Sequence, residues 1–200
     1  MARSTVYCKM GHTECYPGKN QARLFWMRDC PRDKDIINIS HADLEGLSYR
    51  DHQAGITVCD NDPAVIERTC YLKSKYPNLK IDTYLGDCND AVRTHVAVYG
   101  VRNLGAVNFD LTRTIRSEWG VAKPTVELLL ASGYKGIFVL TVTVQRDNFQ
   151  SHKDRIAWFE RQLPESLRDS VTYHFYCSDS VGRHAERIKG SAMLTIKIKF

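Results

Sequence analysis

The chain has 200 residues and a mass of 22.9 kDa, with 43% hydrophobic and 26% charged residues. This composition is typical of a globular protein and excludes disordered, collagen-like and disulfide-stapled chains. The longest apolar run, residues 137–144, is far shorter than the ~20 residues that cross a bilayer, so no membrane span is expected. The formal net charge of +5 permits an anionic partner without requiring one.

The N-terminal residues lack the apolar segment of a signal peptide, so we expect a cytoplasmic protein. The seven cysteines are odd in number and scattered, which favours reduced thiols over disulfides. Cys8, His12 and Cys15 are closely spaced zinc-ligand types, with Cys30 as a distant fourth. Their spacing matches no common zinc finger, and we predict no metal site.

We expect one domain over residues 1–200, with an N-terminal helical lid (1–34) and an α/β core (35–200). Within the first segment, a turn at Pro17-Gly18 leads into an amphipathic helix. Lys19 and Arg23 on this helix are candidates to face a substrate, whereas Trp26 is expected in the core.

From residue 35 onward, short β-rich runs alternate with helical patterns. The most apolar strand, 135–144, is expected near the centre of the sheet. The alternating strand, 79–84, is expected near its edge. The predicted strands are 35–40, 55–59, 79–84, 106–109, 135–144, 171–177 and 192–200. The predicted helices are 63–76, 90–99, 121–131 and 156–163.

Strands that alternate with helices indicate βαβ units and a parallel sheet. The last two strands differ, because a polar loop without a helical apolar pattern joins them. We therefore predict an antiparallel last strand on a mostly parallel α/β sheet.

In open α/β sheets, ligands bind beyond the carboxyl ends of the strands. Acids follow three predicted strands here, at Asp60, Asp87 and Asp110. Asp60 lies about 20 residues beyond the end of the first strand, the offset of an acid that binds ribose hydroxyls. The alternative is that Asp60 and Asp62 only cap the following helix. Capping suits Asp62, but Asp60 is one residue too early for it.

These strand ends resemble those of the class I S-adenosylmethionine-dependent methyltransferases over residues 33–200. The resemblance rests on the order of elements, the terminal strand pair and three motifs: Val58-Cys-Asp-Asn-Asp-Pro63, Leu85-Gly-Asp87 and Val107-Asn-Phe-Asp-Leu111. It implies a three-layer Rossmann-like methyltransferase fold and S-adenosylmethionine as the cofactor. It also implies that Asp60, with Asn61, contacts the ribose, and that Asp87 and Cys88 contact the adenine. Asp110 would lie at the reacting face as the catalytic candidate.

The first motif departs from that family, in which the first strand is followed by glycines because the backbone passes close to the cofactor. The corresponding residues here are Asn38, Ser40, His41 and Ala42, and no glycine occurs before Gly46. The resemblance assigns these four residues to the cofactor. The alternative is a non-catalytic binding or regulatory protein that has kept the fold and lost the cofactor loop.

The residues after the fourth predicted strand lack the dipeptides that mark amine or cytosine acceptors, so the methyl acceptor stays open. Thr112, Arg113 and Arg116 are candidate substrate contacts, the arginines as a phosphate clamp. Alternatively, these residues only form the solvent-exposed start of the next helix. The net charge and the arginines give nucleic acid a slight preference over a small-molecule or protein acceptor. The sequence has no Gly-x-Gly-x-x-Gly, which argues against a dinucleotide enzyme.

Overall fold

The computed structural model describes residues 17–39, 52–75, 77–144, 147–178, 180–181, 187–188 and 191–200. Its helices are α1 (Pro17–Met27), α2 (Pro63–Lys75), α3 (Cys88–Tyr99), α4 (Ile115–Ala131), α5 (His152–Gln162) and α6 (Glu165–Arg168). Its strands are β1 (Asp35–Ile39), β2 (Gly55–Asp60), β3 (Lys80–Leu85), β4 (Leu104–Thr114), β5 (Ile137–Thr143), β6 (Val171–Cys177), β7 (Ser180–Val181), β8 (Arg187–Ile188) and β9 (Ala192–Lys199).

Among the described residues, seven strands form one sheet in the order β3-β2-β1-β4-β5-β9-β6. The strands β1 to β5 pair in parallel, and β9 pairs antiparallel with both β5 and β6. The predicted mostly parallel sheet with an antiparallel last strand is therefore confirmed. The alternating strand β3 lies at the edge as predicted, and the fully buried β5 lies beside the middle strand β4.

The sheet is covered on both faces, which completes the predicted three-layer α/β architecture. One face packs against α3, α4 and α5 through residues that include Val92, Trp119 and Phe159. The other face packs against Trp26 of α1, which is 2% exposed and confirms the prediction that this side chain belongs to the core. None of the described helices is long and apolar enough to cross a membrane.

Three helices begin earlier than their apolar periodicity indicates. Ser151 caps α5 by accepting the N–H of Asp154 at 3.2 Å, and Asp87 caps α3 in the same way. The first turns of these helices are polar, so apolar spacing gives no signal for them. The helix α4 begins at Ile115 rather than at residue 121, and it contains Pro124 in its interior.

The helix α1 is fastened to the sheet by a buried lysine. Lys197 of β9 is 2% exposed, and its ammonium donates to the carboxylate of Asp29 and to the carbonyl of Phe25 at 3.3 Å. The ammonium also lies 4.4 Å from the centroid of the Phe25 ring. Because Phe25 lies in the last turn of α1, the cation meets the negative end of the helix dipole. The hydrogen bond from Lys197 lowers the pKa of Asp29.

Candidate functional site

The sheet order reverses direction between β1 and β4, because the chain adds β2 and β3 on one side of β1 and returns to β4 on the other. Ligands of open α/β sheets bind at the carboxyl ends of the strands at such a point. Of the residues assigned to the first motif, Ser40, His41 and Ala42 lie outside the described residues. Asn38 lies inside, near the end of β1.

Asn38 forms a buried pair with Asn108, its register partner on β4. The two residues are 1% and 5% exposed, and Nδ2 of Asn108 donates to Oδ1 of Asn38 at 2.6 Å. Within the described residues, Oδ1 of Asn108 has no hydrogen-bond partner. A buried, unsatisfied carbonyl oxygen is costly unless a donor reaches it. The pair therefore offers one acceptor to a ligand at this point of the sheet.

Asp60 ends β2, half-buried, and its carboxylate makes a contact with the backbone. Its Oδ1 accepts the backbone N–H of Asp62 at 2.9 Å, which forms the turn into α2. This N–H belongs to the residue that precedes the helix, so Asp60 orders the turn and is not the cap of α2. Asp62 itself caps the helix as predicted, by accepting the N–H of Ala64 at 2.9 Å. Asn61 between them is exposed.

Asp87 is also engaged by the backbone. Its Oδ1 accepts the N–H groups of Asn89 and Asp90 at 2.8 and 3.4 Å, which caps α3. The next residue, Cys88, is buried, and burial raises its pKa to about 11. Burial likewise raises the pKa of Cys59 to about 12, and its thiol donates to the carbonyl of Gly86 at 3.5 Å. Both cysteines are neutral near pH 7 and contribute apolar surface rather than nucleophiles.

Asp110 lies half-buried opposite Thr141 of β5, at the last position of the regular pairing, and β4 continues past the predicted end at residue 109 to Thr114. The register between these strands shifts between Asp110 and Thr114, so the strand is irregular just after the candidate acid. Thr112 lies in this irregular stretch.

Glu118 is a second acid next to this stretch. It is 5% exposed, and its Oε1 accepts the backbone N–H of Arg113 at 3.1 Å. Burial raises the pKa of Glu118 above its ordinary value.

Neither Asn108 nor Glu118 was among the predicted site residues. A polar residue inside the apolar run of β4 was the available signal for Asn108. Glu118 had no usable signal, because its helix was expected to begin three residues later.

The two candidate arginines have different surroundings. Arg113 is exposed, and its backbone N–H holds Glu118. The guanidinium of Arg116 lies 4.6 Å from the ring centroid of Phe149 and 5.5 Å from that of Trp158. Arg116 is therefore held on two aromatic rings, a more ordered arrangement than a solvated helix start.

The ring of Phe149 is supported by a second arginine. The guanidinium of Arg155 lies 5.6 Å from the Phe149 centroid. It donates to both carboxylate oxygens of Asp147, at 2.6 and 2.5 Å, and these side chains are 5% and 1% exposed. This bidentate buried pair fixes the surface on which Arg116 lies.

No group of three His, Cys, Asp or Glu side chains that could hold a metal ion occurs in the part of the chain that the structure describes. Cys8, His12 and Cys15 lie outside that part. Cys30 lies inside it, where burial raises its pKa to about 12 and its thiol contacts the carbonyl of Pro31.

No protein-family model and no curated protein sequence matches the chain. Many solved structures do match its fold. An rRNA methylase from Streptococcus thermophilus matches with a TM-score of 0.58 and 11% identity, over 92% of this chain and 96% of that one. The SAM-dependent methyltransferase from Agrobacterium tumefaciens matches with a TM-score of 0.59 and 11% identity, over 90% of this chain and 60% of that one. The O-methyltransferase from Bacillus cereus, in complex with SAH, matches with a TM-score of 0.57 and 8% identity, over 90% and 80%.

The chain therefore has the three-layer, Rossmann-like fold of class I S-adenosylmethionine-dependent methyltransferases, as its sequence predicts. At this level of identity the likeness concerns the fold. Function has to be argued from the site itself.

Proposed function

We propose that the chain is an S-adenosylmethionine-dependent methyltransferase that holds its cofactor at the carboxyl edge of β1, β2 and β4. The observation that carries the proposal is the buried Asn38–Asn108 pair at the point where the strand order reverses, with Oδ1 of Asn108 left without a partner among the described residues. A ligand ammonium group, such as that of the cofactor's amino-acid half, is a donor of the kind this oxygen lacks.

The remaining cofactor contacts follow from the acids at the ends of β2 and β3. The carboxylate of Asp60 uses Oδ1 for a backbone N–H and has a second oxygen with which to accept a ribose hydroxyl. Asp87 likewise uses one oxygen for the α3 cap, and its second oxygen suits the exocyclic amine of adenine. Asn61, Cys88 and the loop residues Ser40, His41 and Ala42 complete the proposed cofactor set.

In methyl transfer, the cofactor supplies an activated methyl group on a sulfonium, so the protein has to align the acceptor and, where needed, hold its proton. Asp110 is proposed for that role because it is an acid where the regular pairing of β4 with β5 ends, directly before the irregular stretch that includes Thr112. Glu118 acts on this stretch as a positioning residue, since it holds the backbone of Arg113.

For the acceptor we propose nucleic acid, contacted by Thr112, Arg113 and Arg116. The support is the guanidinium of Arg116, which is exposed and ordered on Phe149 and Trp158, together with the net charge of +5. An ordered guanidinium loses little freedom when it binds a phosphate. One of the similar structures is an rRNA methylase, which agrees with this acceptor class.

The second candidate is a non-catalytic protein that uses this fold for binding. It is favoured by one observation: the carboxylates of Asp60 and Asp87 both already accept backbone N–H groups, so their structural roles in a turn and a helix cap alone would account for them. The two candidates differ in whether Asp60 contributes to cofactor binding.

Calorimetric titration with S-adenosylmethionine and with S-adenosylhomocysteine tests the proposal. The variant Asp60→Asn keeps an oxygen for the turn into α2 but loses the charge and one acceptor. We expect its affinity to fall about tenfold to a hundredfold, as for a lost hydrogen bond to a charged group. Asp62→Ala is the matched control, because it removes a neighbouring acid that only caps the helix, and its affinity should stay within about twofold of the parent. Absence of binding by the folded parent at millimolar ligand would reject the enzyme and leave the non-catalytic candidate.

The acceptor class has its own test, the salt dependence of binding to a short single-stranded RNA. Arg116→Ala should weaken binding and reduce the slope of log K against log salt by about 0.7, the loss of one phosphate contact. Arg93→Ala is the control, since this exposed arginine pairs with Asp90 at 2.7 Å on α3. An unchanged slope in Arg116→Ala, or an equal change in the control, argues against nucleic acid.

A further inference from the structure

A cavity lies at the amino edge of the sheet, where β1, β2 and β3 begin, opposite the carboxyl edge. It has a volume of about 650 Å³, within the range of small-molecule sites. Residues from four separate segments line it, among them Asp33, Asp35, Thr57, Asp82, His95 and Tyr99. None of its lining residues is assigned to the cofactor or the acceptor. It shares elements with that site but uses their other ends: His95 and Tyr99 come from the C-terminal half of α3, whereas Cys88 begins that helix.

The cavity is acidic although the chain as a whole carries a net charge of +5. Three carboxylates line it against one lysine, Lys80. Lys73 also contacts Asp82 at 3.7 Å, but both of these side chains are largely exposed, so screening by water makes the pair weak. The acids lie beside the C-terminal end of α3, where the helix dipole is negative and disfavours further negative charge. A bound cation would relieve this repulsion.

His95 supplies a second, independent indication of a ligand. Its side chain lines the cavity and the residue is 8% exposed, yet Nε2 has no hydrogen-bond partner among the described residues. Burial lowers the pKa of His95, so the ring is neutral near pH 7 and one ring nitrogen is an acceptor. In the tautomer with its proton on Nδ1, Nε2 is this acceptor, and a ligand N–H group is the partner it lacks.

Tyr99 adds an aromatic surface to the same wall. It is 67% exposed, and its ring centroid lies 5.1 Å from that of His95. Aromatic faces attract ammonium groups, so an exposed ring next to three carboxylates suits an alkylammonium ligand.

The arrangement does not fit a metal ion. A metal needs ligands that converge on one point, and the described residues contain no group of three His, Cys, Asp or Glu that does so. Spread carboxylates are better matched by an elongated ligand with several charged N–H groups. We propose that this cavity binds a linear aliphatic polyamine, a ligand distinct from the cofactor and acceptor of the carboxyl edge.

Calorimetry with spermidine on the intact chain tests the proposal. We expect saturable one-to-one binding at about millimolar affinity or tighter. The double variant Asp33→Asn/Asp35→Asn should weaken it about tenfold, since it removes two charges. The side chain of Asp35 accepts the N–H of Gly55 at 2.9 Å, and the amide of the variant keeps an oxygen for this bond, so the fold is preserved. Tyr99→Leu changes an exposed side chain, and we expect a weakening of about twofold to fivefold.

The matched control is Asp90→Asn/Glu127→Gln, which removes the same charge from exposed acids that pair with Arg93 and Lys123. Its affinity for spermidine should stay within about twofold of the parent. Three results would overturn the proposal: no saturable binding at several millimolar spermidine, an equal loss in the control, or displacement of spermidine by Mg²⁺ at matched ionic strength. The last result would mean that the cavity attracts any cation.

Discussion

The two ends of the parallel strands, the carboxyl edge and the amino edge of the sheet, carry acids for different physical reasons. At the carboxyl edge, Asp60, Asp62 and Asp87 each accept backbone N–H groups at the start of α2 or α3. At the amino edge, Asp33, Asp35 and Asp82 gather around a cavity beside the end of α3. Parallel strands followed by helices place helix N-termini at the first edge and helix C-termini at the second. The acids of the carboxyl edge therefore lie in a favourable electrostatic field from the helix dipoles, and those of the amino edge lie in an unfavourable one.

This difference separates acids that the fold needs from acids that a ligand would need. An acid that caps a helix lowers the free energy of the folded chain whether or not it also touches a ligand. An acid that lies at a helix C-terminus among other acids gains nothing from the dipole. Of the amino-edge acids, Asp35 still serves the fold, because it accepts the N–H of Gly55. Neutralising Asp33 should therefore not lower the free energy of unfolding, whereas removing the side chain of Asp87 should lower it.

The largest effect on stability is expected from the buried ion pair of Arg155 and Asp147 at the carboxyl edge. Arg155→Met leaves the carboxylate of Asp147 buried without its bidentate partner, and we expect the free energy of unfolding to fall by about 3–5 kcal/mol. Urea denaturation measures this change in the free energy of unfolding. Arg161→Met on the same helix, at an exposed position, is the control and should cost at most about 0.5 kcal/mol.

A double variant tests whether the loss of stability in Arg155→Met comes from the unpaired charge of Asp147. Adding Asp147→Asn to Arg155→Met removes the unpaired charge, so the double variant should recover part of the lost stability. If Arg155→Met were as stable as the parent, water would reach Asp147 in the variant, and the buried ion pair would contribute little to stability.

A smaller effect is expected at the cap of α3. Asp87→Ala removes the acceptor for two backbone N–H groups, which should lower the free energy of unfolding by about 1 kcal/mol. Asp87→Ser keeps a capping oxygen without the charge and should recover most of that loss. If serine and alanine behave alike, the stabilisation by Asp87 comes from its charge near the helix dipole rather than from the hydrogen bonds.

The sequence predicted the sheet well because its signals are local. Apolar runs marked β1 and β5, alternation placed β3 at the edge, and the polar connection between β6 and β9 indicated the antiparallel pair. Helix starts were less predictable, since the capped first turns of α3 and α5 are polar and the first turn of α4 breaks the apolar pattern. The start of α2 was the exception, because Asp62 followed by proline marks a cap in the sequence itself.

The candidate site was predictable only as far as strand ends could be counted. Asp60, Asp87 and Asp110 follow from that count, but the Asn38–Asn108 contact joins residues 70 positions apart. The amino-edge cavity was beyond reach for the same reason, because its acids and its imidazole come from separate segments. Each residue is ordinary in sequence, and only the packing of α3 beside the starts of β1 to β3 brings them together.

The smallest effect on stability is expected from Asp33→Asn, the variant that contrasts the two edges most directly. Asp33 is exposed, lines the cavity with two other acids, and lies near the negative end of α3. Asp33→Asn should therefore leave stability unchanged or raise the free energy of unfolding by up to about 0.5 kcal/mol at low ionic strength. Added salt should erase the gain, because screening weakens exposed charge repulsion within about 10 Å. A loss of stability in Asp33→Asn would mean that this acid serves the fold, and the contrast with Asp87 would then disappear.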